Sequence, residues 1–416
     1  MKRYDLVVVG GGFAGVASAI SASRQGVSVL LIEKSNCLGG ASTNSLVNPF
    51  MPTVTHIERE RVELNRGIFE EIKNELKKRN AMLWDGFLEE ELKLILNRMV
   101  LSSGVDILFH AQLTEVKAIN DKIFSISLAT IGGIEEIEAD YFIDATGDAQ
   151  LSYLSGVPCM QGRRTDGLCQ PMTLCFRVGN VDFDKFSKSA SKMQEEYKIA
   201  KEKSEIKNPR ENILYFQLPQ KNVVHFNTTR IVKKSPTCVY DLTKAEIEAR
   251  EQVFEIYEFM KKHAQGLEDS FILSTASQIG VRESRQIIGK YTLTEADCLE
   301  CRKFEDSVVA CNYDIDIHNP EGTGTSHHYF KDGEYYTIPY RCLVPSKIDN
   351  LLVAGRCISS THEAQASYRI MPVVCNLGQV AGVAMAQAIK EKIKPSDIDI
   401  SKLQAQLKLD NLFIGI

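Results

Sequence analysis

The sequence predicts an α/β fold: a central parallel sheet carries helices and a small antiparallel meander, and a second, mainly antiparallel β domain with helices is inserted. The first observation is a strand, helix, strand succession, in which the apolar runs Tyr4–Val9 and Val27–Ile32 flank a glycine-rich turn and a small-residue helical stretch. The second is an alternating pattern over residues 113–139, which is typical of an antiparallel meander. The third is a change of character at Leu168, from where longer alternating segments predict the inserted domain.

The opening of the chain carries the strongest motif. Gly10, Gly12 and Gly15 form G-x-G-x-x-G between the first strand and its helix, and Glu33 ends the second strand. The first glycine permits a tight turn, the second lets the backbone approach a pyrophosphate, and the third lets helix and strand pack closely. The helix N-terminus offers free N–H groups to phosphates, and Glu33 can accept both hydroxyls of an adenosine ribose. These parts in register predict a dinucleotide site rather than an ordinary Gly-rich turn, and the acid disfavours NADP.

Composition excludes several other classes of protein. The 416 residues, 44% of them hydrophobic, can bury a large core, and we expect two domains. A net charge of −5 offers no basic footprint for nucleic acid, and the absence of a run of about eighteen apolar residues predicts no membrane span. Asp5 and the glycine triplet argue against a secretory signal, so we expect a cytoplasmic protein whose eleven cysteines are mostly free thiols.

The remaining elements follow from periodicity and turn residues. Residues 88–101 have apolar positions at helical spacing, and 105–109 is expected as a third parallel strand. A helix over 243–263 is predicted to begin at a capping box of Thr243 and Glu246. The other expected strands are 113–119, 123–131 and 134–139 in the meander, a buried strand within 141–148, the segments 172–178, 213–218, 223–226 and 270–278 in the inserted domain, and 350–355 near the end.

Three segments outside the first motif are expected at the same crevice. The small-residue loop after Glu33 contains glycines that would let backbone amides reach a cofactor, although an ordinary loop is the alternative. The strand within 141–148 ends in a glycine turn. A helix from about Pro372 to Lys390 has Asn376 and Gly378 in its first turns. If its N-terminus points at an isoalloxazine, its dipole would stabilise negative charge near N1 and C2=O of the reduced ring. The alternative is a Gly-Ala helix packed tightly on the sheet, and both can hold.

Candidate catalytic residues lie mainly in the polar loop 356–369, which follows a buried strand. His362 could move a proton near neutral pH, and Arg369 could bind a substrate carboxylate in bidentate fashion; structural hydrogen bonding is the alternative. Arg282 and Arg341 are further candidates whose surroundings in sequence assign no role.

The cysteines invite a metal interpretation at one place. Cys298 and Cys301 are separated by two residues, with Cys311 nearby. A structural zinc site usually needs a second pair or histidines at finger spacing, and an iron–sulfur cluster needs a denser run. We therefore expect free thiols and no metal.

Together these motifs resemble the FAD-dependent oxidoreductase family whose flavin domain is similar to those of glutathione reductase and fumarate reductase, in the branch that also resembles the flavin portion of heterodisulfide reductase. The resemblance covers nearly the entire chain and is silent about the substrate. It implies that Leu113 lies near the adenine and that Asn376–Gln379 face the flavin pyrimidine. Many members carry an acid after the late strand's glycine, where this chain has Arg356 after Gly355. The expected cofactor residues are Gly10, Gly12, Phe13, Ala14, Gly15, Glu33, Lys34, Gly39, Gly40, Ala41, Ser42, Thr43, Leu113, Ala145, Thr146, Gly147, Gly355, Arg356, Asn376, Leu377, Gly378 and Gln379.

The expected function is hydride transfer between a small polar or anionic substrate and flavin N5. FAD is preferred over NAD because the late glycine helix provides for a second half of the cofactor, and the resemblance supports the same choice. There are two alternatives: a flavin-bound isomerase or hydratase without net redox change, and an electron-transfer subunit with a protein partner. The protein could also form a homo-oligomer. We expect a discontinuous FAD-binding domain over 1–160 and 340–395, a substrate or cap domain over 165–339, and a C-terminal helical tail over 396–416. Part of 275–295 can return to the FAD-binding domain.

Overall fold

The computed structural model describes residues 3–416. Its helices are α1 Phe13–Arg24, α2 Ala41–Asn44, α3 Ile68–Lys78, α4 Glu89–Ser102, α5 Gln150–Leu154, α6 Phe183–Glu202, α7 Val239–His263, α8 Glu295–Leu299, α9 His362–Tyr368, α10 Met371–Glu391 and α11 Ile400–Leu409. Its strands are β1 Tyr4–Val9, β2 Val29–Ile32, β3 Val54–Ile57, β4 Glu60–Glu63, β5 Met82–Leu83, β6 Gly86–Phe87, β7 Asp106–Leu108, β8 Gln112–Ile119, β9 Lys122–Thr130, β10 Gly133–Asp144, β11 Cys159–Gln161, β12 Phe176–Gly179, β13 Tyr215–Gln217, β14 Val223–Phe226, β15 Phe271–Thr275, β16 Arg285–Ile287, β17 Ser307–Cys311, β18 Ile315–His318, β19 Thr325–His328, β20 Tyr336–Pro339 and β21 Leu351–Val353.

The central sheet has the order β7-β2-β1-β10-β9-β8, with β21 on the other side of β10. Strands β7, β2, β1 and β21 run parallel to one another and to the end of β10, whereas β8, β9 and the start of β10 form the meander. The predicted parallel sheet with an antiparallel meander is thus confirmed. The two strands expected over 134–139 and from Tyr141 are one continuous strand, because no turn residue interrupts β10 where its partner changes from β9 to β1.

Helices α1 and α10 pack backbone against backbone over the sheet. A Cβ added at Gly378 would lie 2.1 Å from the Ala14 carbonyl oxygen, and one at Gly382 would lie 2.1 Å from Ser21 Oγ. Ser18 Oγ donates a hydrogen bond of 2.9 Å to the Gly378 carbonyl across this contact. The glycines of α10 therefore serve close helix packing. By length and composition α10 could cross a membrane, but 83% of its most apolar window is buried inside the protein, as in a core helix.

A second hydrophobic core belongs to the inserted part of the chain. Its four-stranded antiparallel sheet has the order β13-β14-β12-β15, and its buried apolar residues are Leu46 and members of the range 172–279. Buried residues in the range 287–343 pack into the core of the central sheet instead. The helix expected from Thr243 begins at Val239. Thr243 lies inside it, where its Oγ1 donates to the Val239 carbonyl at 2.8 Å instead of capping the end of the helix.

Candidate functional site

A cavity of about 310 Å³, here called the first cavity, opens at the carboxyl ends of the parallel strands. Strand β1 ends at its glycine turn, β2 ends at Glu33, β10 leads into Ala145–Asp148, and β21 leads to Gly355. Ligands of open parallel sheets bind at this edge. Fifteen of the expected cofactor residues line the first cavity: Gly10, Gly12, Phe13, Ala14, Glu33, Lys34, Gly39, Gly40, Ala41, Ser42, Ala145, Thr146, Gly147, Gly355 and Arg356.

The glycine turn between β1 and α1 is shaped by two glycines that no other residue could replace. Gly10 has a φ of +104°, and a Cβ there would lie 2.4 Å from the Ala145 carbonyl oxygen. A Cβ on Gly15 would lie 1.7 Å from the Gly10 carbonyl oxygen. Helix α1 then begins at Phe13 with neither a side-chain cap nor an acidic residue in its first turn. Its first N–H groups are therefore free to bind an anion.

Glu33 is fixed by the backbone around it. Its Oε2 accepts a hydrogen bond of 2.6 Å from the Gly11 N–H, and its Oε1 accepts one of 2.8 Å from the Ser35 N–H. Oε1 also accepts from the Ser35 hydroxyl at 2.8 Å, so Oε2 is the carboxylate oxygen that keeps a further lone pair for a ligand. Glu33 also lines a small cavity of about 40 Å³ together with Leu113, Gln112 and Gln150. An adenosine bound here would have its ribose beside Glu33 and its base beside Leu113.

The structure places two other groups of expected cofactor residues away from the first cavity. Thr43 Oγ1 donates to the Leu38 carbonyl at 2.9 Å, behind the wall. Asn376 Nδ2 donates to the Arg66 carbonyl at 2.7 Å, and Gln379 Oε1 accepts from the Ile68 N–H at 2.9 Å. Leu377 is buried, and Gly378 packs on α1. The wall contributed by α10 is instead its first turn, at Met371 and Val374.

A second cavity of about 380 Å³ adjoins the first. Of the expected catalytic residues, Arg282 and Arg369 line it, at positions 87 residues apart in the chain (369 − 282). The inserted part of the chain contributes Arg210, Leu214 and Phe216. Five residues line both cavities: Ala41, Val281, Arg356, Arg369 and Met371.

The other two expected catalytic residues lie elsewhere. His362 lines neither cavity; it is buried, and its Nδ1 donates to Glu283 Oε2 at 2.8 Å. Arg341 lies on another part of the surface, where its Nε donates to Asp306 Oδ2 at 2.9 Å. Neither side chain therefore joins the two arginines on the wall of the second cavity.

Sequence reasoning missed a polar cluster on the hairpin formed by β18 and β19. Asp316 Oδ2 accepts from His318 Nε2 at 3.1 Å and lies 3.4 Å from Arg369 Nη2. Burial by itself raises the pKa of Asp316, but the His318 hydrogen bond and the positive charges of Arg369 and Arg282 lower it further than burial raises it. The stretch Asp314-Ile-Asp-Ile-His318 could have indicated this cluster, because alternate residues share one face of a strand. The local sequence does not tell which other residues contact that face.

The two histidines of this cluster differ in environment. Burial lowers the pKa of His318 well below its ordinary value, and the positive charge of Arg282 lowers it further. His318 is therefore neutral, with Nε2–H donating to Asp316 and Nδ1 accepting from Arg230 Nη2 at 3.2 Å. His327 is at the rim, with 35% of its side chain exposed and its Nδ1 2.5 Å from Asp314 Oδ2.

Two groups of side chains among the described residues are candidates for a metal site. Asp314, Asp316 and His327 offer ligand atoms within 4.8 Å of one another. The guanidinium of Arg369 is already beside Asp316, and Arg282 adds a further positive charge, so a divalent cation would be repelled here. Cys298, Cys301 and Cys311 are free thiols, of which Cys298 and Cys311 are buried.

The fold and the first cavity define a protein with a Rossmann-like dinucleotide-binding domain. The chain belongs to the family of FAD dependent oxidoreductases, whose model matches residues 5–407. It is therefore an oxidoreductase enzyme with FAD as cofactor. The similarity to the flavin portion of heterodisulfide reductase is not confirmed by the comparisons.

Curated relatives are similar over short stretches. The 3-oxosteroid 1-dehydrogenase of Mycolicibacterium smegmatis is 36% identical over 62 residues, which are 15% of this chain and 11% of that protein. The vinyl phenol reductase of Lactiplantibacillus plantarum is 31% identical over 96 residues, 22% of this chain and 19% of that protein. The chain thus matches less than a fifth of either length. A flavin-dependent brominase, solved as a triple mutant, has the same fold, with a TM-score of 0.50 at 12% identity over 98% of this chain and 85% of that one.

The first cavity has features that fit FAD. Its glycine-lined turn and the uncapped N-terminus of α1 suit the pyrophosphate, and Glu33 suits the adenosine ribose. Arg356 Nε is buried without a hydrogen-bond partner in the described part of the chain, while its Nη2 lies 2.7 Å from Asp148 Oδ1. An unpartnered guanidinium N–H on the wall is suited to an acceptor on the bound cofactor.

Proposed function

We propose that the enzyme transfers a hydride between flavin N5 and a small polar or anionic organic substrate bound in the second cavity. The observation that carries this proposal is the shared wall between the cavities, to which Arg356, Arg369 and Met371 contribute. A substrate in the second cavity would lie against the flavin end of a cofactor whose adenosine end is beside Glu33 in the first cavity. The bound flavin supplies the group that gives or accepts the hydride.

We propose His327, rather than His362, as the group that moves the accompanying proton. His327 lines the second cavity and is exposed enough to exchange protons with solvent, and Asp314 orients its ring through Nδ1. Its Nε2 is then the atom that would give or take the proton. His362 is enclosed with Glu283 behind the cavity walls, which favours a structural role.

Anaerobic titration of the FAD-loaded protein tests this function. A panel of carboxylates and sugars should contain a compound that bleaches the oxidised flavin or reoxidises the photoreduced flavin. His327→Gln should keep bound FAD but slow the responsive half-reaction by about 100-fold, the ordinary size of a lost acid–base group. His110→Asn, at an exposed position, is the matched control.

Two outcomes would favour the alternative functions. A compound that is chemically converted while the flavin keeps its oxidation state would indicate an isomerase or hydratase. Stable co-purification with an iron–sulfur protein that reoxidises the flavin would indicate an electron-transfer subunit. A cytoplasmic location belongs to the same proposal, and cell fractionation would check it.

A further inference from the structure

The walls of the second cavity carry more positive than negative charge. Among the described lining residues Asp316 supplies the one carboxylate, so four guanidinium groups and one carboxylate leave an excess of three positive charges (4 − 1). The four lining arginines are Arg210, Arg282, Arg356 and Arg369.

Carboxylates behind the wall reduce this excess without removing it. Arg356 Nη2 lies 2.7 Å from Asp148 Oδ1, and Arg210 Nε lies 3.7 Å from Glu211 Oε2. The same Glu211 also pairs with a fifth arginine, Arg230, at 3.0 Å. With Arg356 and Arg210 counted as neutralised, Asp316 is the one carboxylate on the wall for the two other lining arginines, and Asp314 lies behind it against His327. One positive charge therefore remains on the wall itself (2 − 1).

Arg282 is the guanidinium that lacks a counter-ion. Its Nη1 donates to two neutral acceptors, the Pro171 carbonyl at 2.7 Å and Thr173 Oγ1 at 2.5 Å. Within the described residues no carboxylate oxygen comes within 4.0 Å of it. Burial, together with the nearby positive charges of Arg369 and Arg210, lowers the pKa of Arg282 to about 9. A buried charge normally requires a partner, so this site is incomplete with respect to charge.

Arg369 adds a second unfilled donor. Its Nη2 lies 3.4 Å from Asp316, but its Nε is buried and has no hydrogen-bond partner in the described part of the chain. The remaining wall is partly apolar, at Val47, Pro49 and Leu214. A ligand that satisfies this cavity has an anionic head and a short hydrocarbon or aromatic body.

We propose that the substrate is an organic carboxylate whose anionic group binds Arg282, with Arg369 as the second donor. This inference rests on the proposed function, because it takes the second cavity as the substrate site. A carboxylate supplies the missing negative charge and can accept two N–H donors at once.

Binding to the oxidised FAD-loaded enzyme tests the inference without turnover. Acetate, succinate and benzoate would each be compared with acetamide, succinamide and benzamide, using the flavin difference spectrum and the melting temperature. At least one carboxylate should bind ten-fold or more tightly than its amide. Arg282→Met should weaken that carboxylate by about 10- to 100-fold, and Arg282→Lys by less. Arg98→Met, on the exposed face of α4, should change nothing.

Several results would overturn the inference. They are equal binding of the acid and its amide, unchanged binding by Arg282→Met, or no spectral or thermal response to any of the three carboxylates. If Arg282→Met fails to retain FAD, Arg282→Lys and the acid–amide comparison in the unmodified enzyme decide the question. A carboxylate that binds through Arg282 and never changes the flavin redox state would support the anion site and refute hydride transfer. If only neutral compounds bleach the flavin, hydride transfer is supported and the carboxylate site is refuted.

Discussion

His362 and Glu283 form a pair in the protein interior, with Nδ1 2.8 Å from Oε2 and both residues buried. Glu283 Oε2 also accepts from the Gln170 N–H at 2.8 Å. The pair therefore connects α9 to the segment before β16, and the Gln170 hydrogen bond connects both to the segment before β12. A histidine that sequence patterns assign to proton transfer lies where it can hold segments together.

Replacing His362 tests which role it has. His362→Ala should reduce the free energy of unfolding by about 3–5 kcal/mol, because it leaves a buried carboxylate without its partner. Urea denaturation would measure this loss, and the rate of flavin reduction should change less than it does in His327→Gln. His362→Gln, which can still donate to Glu283, should recover part of the stability. Normal stability with a strongly slowed flavin reaction in His362→Ala would instead return His362 to the catalytic machinery.

His225 predicts an acid-sensitive stability. The residue is buried on β14, both ring nitrogens lack hydrogen-bond partners within the described chain, and burial lowers its pKa to about 3. Below the ordinary histidine pKa of about 6.5 the unfolded chain takes up a proton that the folded protein refuses, so stability is lost as the pH falls from about 6.5 to about 3. The loss should be about 1.4 kcal/mol per pH unit from this residue.

Urea denaturation at pH 7 and pH 5 would measure the His225 effect. His225→Leu should remove about 2 kcal/mol of the difference in unfolding free energy between the two pH values. His110→Asn, at an exposed site, should keep the difference of the unmodified protein. The same pH dependence in His225→Leu as in the unmodified protein would show that other groups cause the acid loss.

Gly15 should be required for FAD binding. In Gly15→Ala the new Cβ would meet the Gly10 carbonyl oxygen at 1.7 Å, so the turn that presents the N-terminus of α1 must open. We expect FAD affinity to fall by about 100-fold or more, equivalent to roughly 3 kcal/mol. Flavin fluorescence on titration of apoprotein would measure it. Gly132→Ala, which meets only Thr130 Oγ1 at 3.7 Å in the β9–β10 turn, is the control and should bind FAD normally.

Asn376 distinguishes a flavin contact from a structural contact. Its amide joins α10 to the segment before α3, through the Arg66 carbonyl and the Asn65 side chain. Asn376→Ala should therefore lower the free energy of unfolding by about 1–3 kcal/mol, since it leaves buried polar groups unpaired. The absorption spectrum and reduction potential of the bound flavin should stay unchanged. A shifted potential at unchanged stability would place Asn376 beside the flavin.

The sequence by itself determined the nucleotide-binding end of this protein. Gly10, Gly15 and Glu33 act within one β-α-β unit, where backbone geometry and strand order fix their relative positions over a short stretch of chain. The family resemblance and the parallel sheet followed from the same local rules. A local sequence pattern also gave a wrong helix start. The capping-box pattern of Thr243 and Glu246 predicted a start at Thr243, although the helix begins at Val239.

Only the tertiary structure decided what lies in the second cavity and what does not. Arg210, Arg282, Asp316 and Arg369 meet there because segments far apart in the chain line the same cavity, and no local pattern encodes that approach. The same packing takes Asn376 to the segment before α3 and encloses His362 with Glu283. Side-chain roles at such a site depend on contacts between distant segments, whereas a glycine turn depends on its own backbone.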